Sequence, residues 1–140
     1  MKAIEIRGLD HVVLRVSDLE RSLRFYCEAL GCREERRLAD LGLVQLRAGG
    51  SLIDLVDVQS PLGEKGGPAP GAQAHNMDHF ALELDHFDEG ALREHLASHG
   101  VEAGEVAERY GAKGYGPSLY ILDPDGNTVE LKGPAERKLD

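Results

Sequence analysis

The sequence has no tryptophan, and aromatic residues make up only 5% of its 140 residues. A large stacking platform is therefore missing, which favours a small polar substrate over a large ring system. Basic residues are also the minority, with 16 lysines and arginines against 25 aspartates and glutamates and a formal net charge of -9. This charge argues against a nucleic-acid partner, because binding to the phosphate backbone needs clustered cations.

The chain also lacks any long hydrophobic run. No apolar stretch approaches the roughly 20 residues that a membrane-spanning helix needs, and no signal-peptide pattern follows Met1. The two cysteines, Cys27 and Cys32, do not have the CxxC spacing of a zinc site and are expected to be reduced thiols. We therefore expect a cytoplasmic protein with no membrane partner.

What the chain does contain is an internal repeat. Leu9–Val16 is matched by Met77–Leu84, 68 residues later, in the pattern apolar-Asp-His-apolar-apolar-Leu-charged-apolar. Parts of Val44–Leu55 are matched by Tyr120–Leu131 at an offset of 76 residues. Such a small difference in offset is typical of duplicated modules that carry loop insertions.

Module one covers about residues 9–58 and is predicted to have the order β-α-β-β-β. An alternating strand at 9–16 leads to a helix that starts at a capping box formed by Ser17 and Glu20 and stops at Gly31. Three further strands are predicted near residues 33–38, 42–48 and 51–58.

Module two covers about residues 77–132 and is predicted to repeat this order. It follows a linker of about residues 60–76 that is rich in glycine and proline. Its elements are predicted at 77–84, 87–99, 105–109, 118–123 and 127–132, the second of these being the helix. The glycine-rich stretch Gly104–Pro117 is predicted to be a loop, either an ordinary solvated one or a mobile one that closes over an anionic substrate.

The predicted fold class is α+β, with a single domain over residues 1–140. In this domain the two tandem modules are expected to form a curved mixed sheet around a cavity, and the four residues described next make that cavity a candidate metal-containing one.

The repeat places His11 against His79 and Asp54 against Glu130. Imidazole and carboxylate groups are ligands for Zn, Fe, Mn, Ni or Co, and two histidines with one carboxylate form a recurring open site. Each residue also has a simpler interpretation. A histidine on a strand is often a hydrogen-bonded core or surface residue, and the carboxylates of an alternating strand can point to solvent. Asp54, one methylene shorter than Glu130, is the least certain ligand of the four by this reasoning.

These residues lie in motifs that resemble the vicinal oxygen chelate superfamily, which includes glyoxalase I, fosfomycin-resistance enzymes, extradiol dioxygenases and bleomycin-resistance proteins. The resemblance covers nearly the whole chain and specifies no single reaction. The matching stretches are Leu9–His11, Asp18–Tyr26 with Leu30 and Gly31, Asp78 and His79, and Asp123–Asn127 with Glu130 and Leu131.

The resemblance implies one divalent metal ion held by His11, His79 and Glu130. Asp54 matches the position where glyoxalase I has a fourth ligand, a glutamate that is also implicated in proton transfer. Asp54 and Glu130 are therefore the candidate catalytic residues, and the aspartate weakens a direct assignment as glyoxalase I.

Four residues are predicted to contact the substrate. Ser118 and Tyr120 match substrate-contacting positions of fosfomycin-resistance enzymes. Arg15 shares a strand face with His11, and Lys113 lies in the glycine-rich stretch.

The leading hypothesis is a divalent-metal-dependent enzyme of the glyoxalase type, a lyase, isomerase or epoxide-opening enzyme whose small substrate binds through adjacent oxygens. One alternative is an Fe(II) extradiol dioxygenase, whose ligand set is the same. Another is a metal-free resistance protein that sequesters a small molecule. The resemblance also implies a homodimer.

Overall fold

The computed structural model describes residues 3–137 of the chain. The chain divides into two compact units between Ala69 and Pro70, within the predicted linker. Each unit contains one α-helix and one four-stranded mixed sheet, which confirms the predicted α+β class and the repeated β-α-β-β-β order.

The first unit has its strands in the order β1-β4-β3-β2. Strands β1 and β4 are parallel, and the two other pairs are antiparallel. The elements are β1 (His11–Val16), α1 (Leu19–Arg24), β2 (Arg33–Leu38), β3 (Leu43–Ala48) and β4 (Ser51–Asp57), with 3-10 turns at Ala39–Leu41 and Gly63–Gly66. The strand bounds agree closely with those predicted.

Alternation along the strands separates a core face from a polar face. One face carries buried side chains from β1, β3 and β4, which are Leu14, Val16, Val44, Leu46, Ile53 and Leu55. Leu23 of α1 and Tyr26 of the following π-helical turn, Phe25–Ala29, are also buried. The opposite face carries His11 and Asp54.

The start of α1 differs from the prediction. Asp18, and not Ser17, is the N-cap, since its carboxylate accepts a hydrogen bond from the Arg21 backbone N–H at 3.1 Å. Asp88 caps the second helix in the same way through Ala91. The predicted capping box is therefore wrong by one residue; aspartate accepts this bond as well as serine does.

The second unit repeats the strand order, as β5-β8-β7-β6, with β5 and β8 parallel. Its elements are β5 (Phe80–Glu83), α2 (Glu89–Ser98), β6 (Ala107–Gly111), β7 (Gly114–Leu122) and β8 (Thr128–Lys132). Strand β5 begins later than predicted, so that His79 directly precedes it. Neither helix within residues 3–137 is long and apolar enough to cross a membrane.

Beyond the strand predicted at 105–109, most of the glycine-rich stretch 104–117 is not the predicted loop. It contains a β-hairpin in which β6 pairs with the first half of β7 and Ala112 and Lys113 form the turn. Its glycines allow close packing: a Cβ at Gly116 would lie only 2.5 Å from the Pro134 carbonyl oxygen. Glycine here permits backbone contact, which composition alone does not distinguish from flexibility.

Both ends of the linker are attached to their own units. The Arg15 guanidinium donates to the carbonyls of Gly63, Gly67 and Pro68 at 3.2, 2.6 and 3.0 Å. At the other end, the Asn76 side chain donates to the Asn127 Oδ1 at 3.1 Å. Only the middle of the predicted linker therefore lacks such side-chain attachments in the described part of the chain.

Candidate metal centre

The second unit brings two predicted ligands, His79 and Glu130, into contact. Strand β5 pairs in parallel with β8, with Ala81 opposite Glu130, so His79 lies on the same sheet face two residues before. Its Nε2 is 3.4 Å from the Glu130 Oε1. Glu130 is only 6% exposed, so its carboxylate has lost most of its contact with water.

The other ring nitrogen of His79 is already engaged. Nδ1 is 2.6 Å from the Asp78 Oδ2. In such a pair Nδ1–H donates to the carboxylate and Nε2 keeps its lone pair. Tyr120 of β7 pairs with Glu130 of β8, and its ring packs edge-on against the His79 imidazole at 5.5 Å between ring centroids.

With a neutral imidazole, this arrangement would turn two hydrogen-bond acceptors, the Nε2 lone pair and the Glu130 carboxylate, toward each other. A cation between them, either a metal ion or a second ring proton, removes the repulsion. Ligands bound at about 2.1 Å around a tetrahedral ion are about 3.4 Å apart, which is the distance between these two atoms. The pair therefore fits a divalent metal ion.

The first unit holds a related pair, His11 and Asp54. The His11 Nδ1 is 2.8 Å from the Asp10 Oδ2, as in the second unit. Asp54 is on the neighbouring strand opposite Val13, and hence on the same face as His11. The hydrogen bond with Asp10, followed by the negative charge of Asp54, raises the pKa of His11 above its ordinary value.

Asp54 has one satisfied oxygen and one unsatisfied oxygen. Its side chain is buried, with 4% of the residue exposed. Oδ2 accepts a hydrogen bond from the Gln45 Nε2 at 3.1 Å, whereas the buried Oδ1 has no hydrogen-bond partner. A buried carboxylate oxygen without a donor is costly, and a nearby cation would offset that cost.

Each unit thus supplies one histidine–carboxylate pair. Within the described residues no group of three or more His, Cys, Asp or Glu side chains lies close enough to hold a metal ion. The three-ligand set of His11, His79 and Glu130 stays a prediction, with His79 and Glu130 as the pair in direct contact.

The predicted substrate contacts have partners of their own. Arg15 binds the linker carbonyls described above. Ser118 is fully buried, and its Oγ accepts from the Arg109 Nη1 at 2.9 Å. Tyr120 lies between His79 and Arg109, whose guanidinium carbon is 4.4 Å from the ring centroid. Lys113 pairs with Glu83 on the rim of a cavity beside His79.

Several of these partners were not predicted from the sequence. The signal that could have identified Asp10 and Asp78 is the repeated Asp-His pair, because a carboxylate often binds the outer ring nitrogen of a metal-ligating histidine. Gln45 had no such signal, because its contact with Asp54 depends on strand register. The sequence placed Arg109 at the end of the strand predicted at 105–109, but its contacts with Tyr120 and Ser118 were not predicted.

Residues 8–131 match the family model of the Glyoxalase/Bleomycin resistance protein/Dioxygenase superfamily. The chain belongs to this superfamily, as its motifs predicted. Members generally use a divalent metal ion, bind small molecules and commonly form dimers.

Curated relatives include proteins of different kinds. Glyoxalase domain-containing protein RDO1 of Mycosarcoma maydis is 27% identical, over 98% of this chain and 74% of its own length. Virulence protein STM3117 of Salmonella typhimurium is 32% identical, over 90% and 83%. Catechol-2,3-dioxygenase of Bacillus subtilis is 28% identical over 88% of this chain, which spans only 40% of that enzyme.

Solved structures show the same fold. An integron cassette protein from V. cholerae has a TM-score of 0.73 and 28% identity, covering 96% of this chain and 100% of its own. Two further structures are similar in fold alone. Lactoylglutathione lyase from Agrobacterium tumefaciens has a TM-score of 0.66 and 23% identity, covering 91% of this chain and 94% of its own. The fosfomycin-resistance protein FosX from Mesorhizobium loti has a TM-score of 0.66 and 20% identity, covering 94% of this chain and 96% of its own.

Proposed function

We propose that this protein is a divalent-metal-dependent enzyme of the glyoxalase type, a lyase, isomerase or epoxide-opening enzyme acting on a small substrate that binds through adjacent oxygens. The observation that carries the proposal is the 3.4 Å approach of the His79 Nε2 to the buried carboxylate of Glu130, while Asp78 holds the other ring nitrogen. Membership of a superfamily whose members generally use a divalent metal supports it.

The metal would be held by His11, His79 and Glu130, and would supply Lewis-acid stabilisation of negative charge on a substrate oxygen. The chain's own residues prepare this site. Asp10 and Asp78 fix the two imidazole rings with Nε2 directed away from the bonded Nδ1. The Tyr120 ring covers one edge of His79 and limits its rotation.

Under this proposal Asp54 acts in one of two ways, either as a fourth metal ligand or as a general base. Gln45 holds Oδ2, which directs the remaining oxygen and its lone pairs away from the amide. As a base, that oxygen would accept a proton from the substrate. Full activity of an Asp54→Ala variant would rule out this second role.

The test of the metal site is elemental analysis by plasma mass spectrometry, on wild-type protein and on Glu130→Gln. We expect about one divalent ion per chain in the wild type and a loss of affinity of more than about tenfold in the variant, because a neutral amide is a poor metal ligand. Glu83→Gln is the matched control, since Glu83 lies on the same sheet face but outside the ligand set, and it should keep the metal.

A metal content that is unchanged in Glu130→Gln would contradict the assignment of this ligand. Wild-type protein that takes up no metal on reconstitution would favour the metal-free binding protein instead.

A second candidate activity is an Fe(II)-dependent extradiol dioxygenase. The similarity to a catechol-2,3-dioxygenase favours it, although the chain spans 40% of that protein. Oxygen consumption with catechol, after anaerobic loading with Fe(II), would identify this reaction. Zn, Ni, Co or Mn as the native metal would instead favour the glyoxalase-type reactions.

Assembly and location belong to the same proposal. We infer a homodimer in the cytoplasm that has neither a nucleic-acid nor a membrane partner. Sedimentation velocity at micromolar concentration would test the dimer directly.

A further inference from the structure

A row of three polar side chains crosses the first sheet, from β2 through β3 to β4. Arg36 of β2 is paired with Gln45 of β3, and Gln45 is paired with Asp54 of β4. Directly opposite residues of neighbouring strands point to the same face of a sheet. All three side chains therefore lie on the polar face that carries His11, and the first two have no role in the candidate ligand set.

Hydrogen bonds join this row into a chain. The Arg36 Nη1 donates to the Gln45 Oε1 at 3.4 Å, and the Gln45 Nε2 donates to the Asp54 Oδ2 at 3.1 Å. A guanidinium group can only donate and a carboxylate can only accept, so both neighbours require the same orientation of the Gln45 amide. The amide is therefore held with its N–H toward Asp54 and its carbonyl toward Arg36.

An irregularity in β2 puts the arginine in this position. The register of β2 against β3 shifts between Glu34 and Arg36, which leaves Glu35 as the extra residue of a β-bulge. In an unbroken register Glu35 would lie opposite Gln45 and bring a second acceptor to its amide oxygen. Glu35 is instead bound by the Arg47 guanidinium, whose Nε and Nη2 donate to it at 3.0 and 2.7 Å. The bulge thus replaces an acceptor with a donor beside Gln45.

This chain of bonds leaves Asp54 with one oxygen to offer. Oδ2 is held by the amide, and Oδ1 is buried without a donor. A carboxylate binds a metal ion through one oxygen or through both. The N–H of Gln45 occupies a lone pair of Oδ2, so Oδ1 is the better ligand. Binding through Oδ1 alone keeps more coordination positions open for a substrate that binds through two oxygens.

We propose that Gln45 is a positioning residue of the candidate metal centre, which makes Asp54 a fourth ligand through Oδ1 alone. Arg36 fixes the orientation of the Gln45 amide, and Gln45 acts on the metal ion through Asp54. This inference rests on the proposed function, and it selects the ligand role of Asp54 over the role of general base.

The first measurement is the affinity for Co(II), by calorimetric titration of full-length protein that has been stripped of metal. Gln45→Met keeps the length of the side chain and removes its donor. We expect about tenfold weaker binding, as for other groups that orient a metal ligand. Gln59→Met, which changes an exposed glutamine after β4, is the matched control and should bind Co(II) as the wild type does.

Arg36 is exposed, so its substitution tests the same chain of bonds without disturbing the core. Arg36→Met should weaken Co(II) binding about threefold, less than Gln45→Met, because its hydrogen bond is long and exposed. Arg36→Lys should recover most of the affinity, since an ammonium group can also donate to the amide oxygen. Arg33→Met, on the same strand, is the control and should leave the affinity unchanged.

Two further readouts distinguish positioning from a general loss of structure. The visible absorption bands of bound Co(II) report the number and arrangement of its ligands. These bands should change in Gln45→Met, where Asp54 is free to bind through both oxygens, and should stay the same in Gln59→Met. In an Asp54→Ala background, Gln45→Met should cause no further loss of affinity, because its effect passes through Asp54.

The outcomes separate this inference from the proposed function. Wild-type protein that takes up no Co(II) overturns the proposed function, and the inference with it. Co(II) uptake with the same affinity and the same bands in wild type and Gln45→Met overturns the positioning role alone. So does a loss of affinity on Gln45→Met that is equally large with and without Asp54, since Gln45 would then act on the structure as a whole.

Discussion

Asp54 lies in the first unit as a buried carboxylate with one oxygen bonded to Gln45 and the other without a partner. A buried acceptor without a hydrogen-bond donor destabilises the folded state. Natural proteins keep such a group mainly where it has a function. Under the proposed function, this cost is the consequence of presenting a carboxylate to a metal ion or to a substrate proton.

We therefore expect Asp54→Asn to stabilise the metal-free protein. The amide removes a buried charge and can still accept the hydrogen bond from Gln45, so the free energy of unfolding should rise by about 1 kcal/mol. Urea denaturation of EDTA-treated protein measures this change.

Asp57→Asn, on the same strand, is the matched control. The Asp57 Oδ1 accepts a hydrogen bond from the Gln59 backbone N–H, which an amide oxygen can also accept, so we expect little change. A fall in stability for Asp54→Asn would show that the charge of Asp54 is satisfied in the metal-free protein.

At the scale of the secondary-structure elements, the two helices begin in the same way. Asp18 and Asp88 each accept a hydrogen bond from the backbone N–H three residues later. Asp18→Ala and Asp88→Ala should each lower the free energy of unfolding by about 1 kcal/mol. Asparagine at either position should retain most of the stability in thermal melts, since its amide oxygen accepts the same bond. An equal loss with alanine and asparagine would show that charge, and not the hydrogen bond, stabilises the helix start.

The sequence predicted the elements well where hydrophobic alternation and glycine stops were present. The strands of the first unit and the helix ends at Gly31 and Gly100, both with positive φ, are examples. It failed for residues 110–117, which extend the two predicted strands into the hairpin of β6 and β7, because glycines that permit close packing resemble those of a loop.

The candidate site was predicted only in part. The repeat identified both histidines and both carboxylates, but contacts such as Gln45 with Asp54, or Arg109 with Tyr120, depend on register and side-chain direction. These are properties of the folded sheet, and a periodic pattern in a single sequence does not contain them.

At the scale of the whole molecule, a single domain predicts that the two units unfold together in one cooperative transition. Each unit has about 70 residues, a size at which a core alone gives marginal stability. We expect Leu14→Ala in the first unit and Leu119→Ala in the second, both fully buried, to lower one common unfolding temperature, each costing about 3 kcal/mol. Calorimetry that resolves two transitions, with each substitution shifting only one, would contradict a single cooperative domain.

The hydrogen bonds that anchor the linker also determine where the new termini of a circular permutant can lie. Arg15 holds the backbone as far as Pro68, and Asn127 holds the side chain of Asn76. A circular permutant should therefore begin and end within residues 69–75. New termini placed between β4 and Pro68 would lie outside every strand. They would nevertheless separate Arg15 from carbonyl groups to which it donates hydrogen bonds.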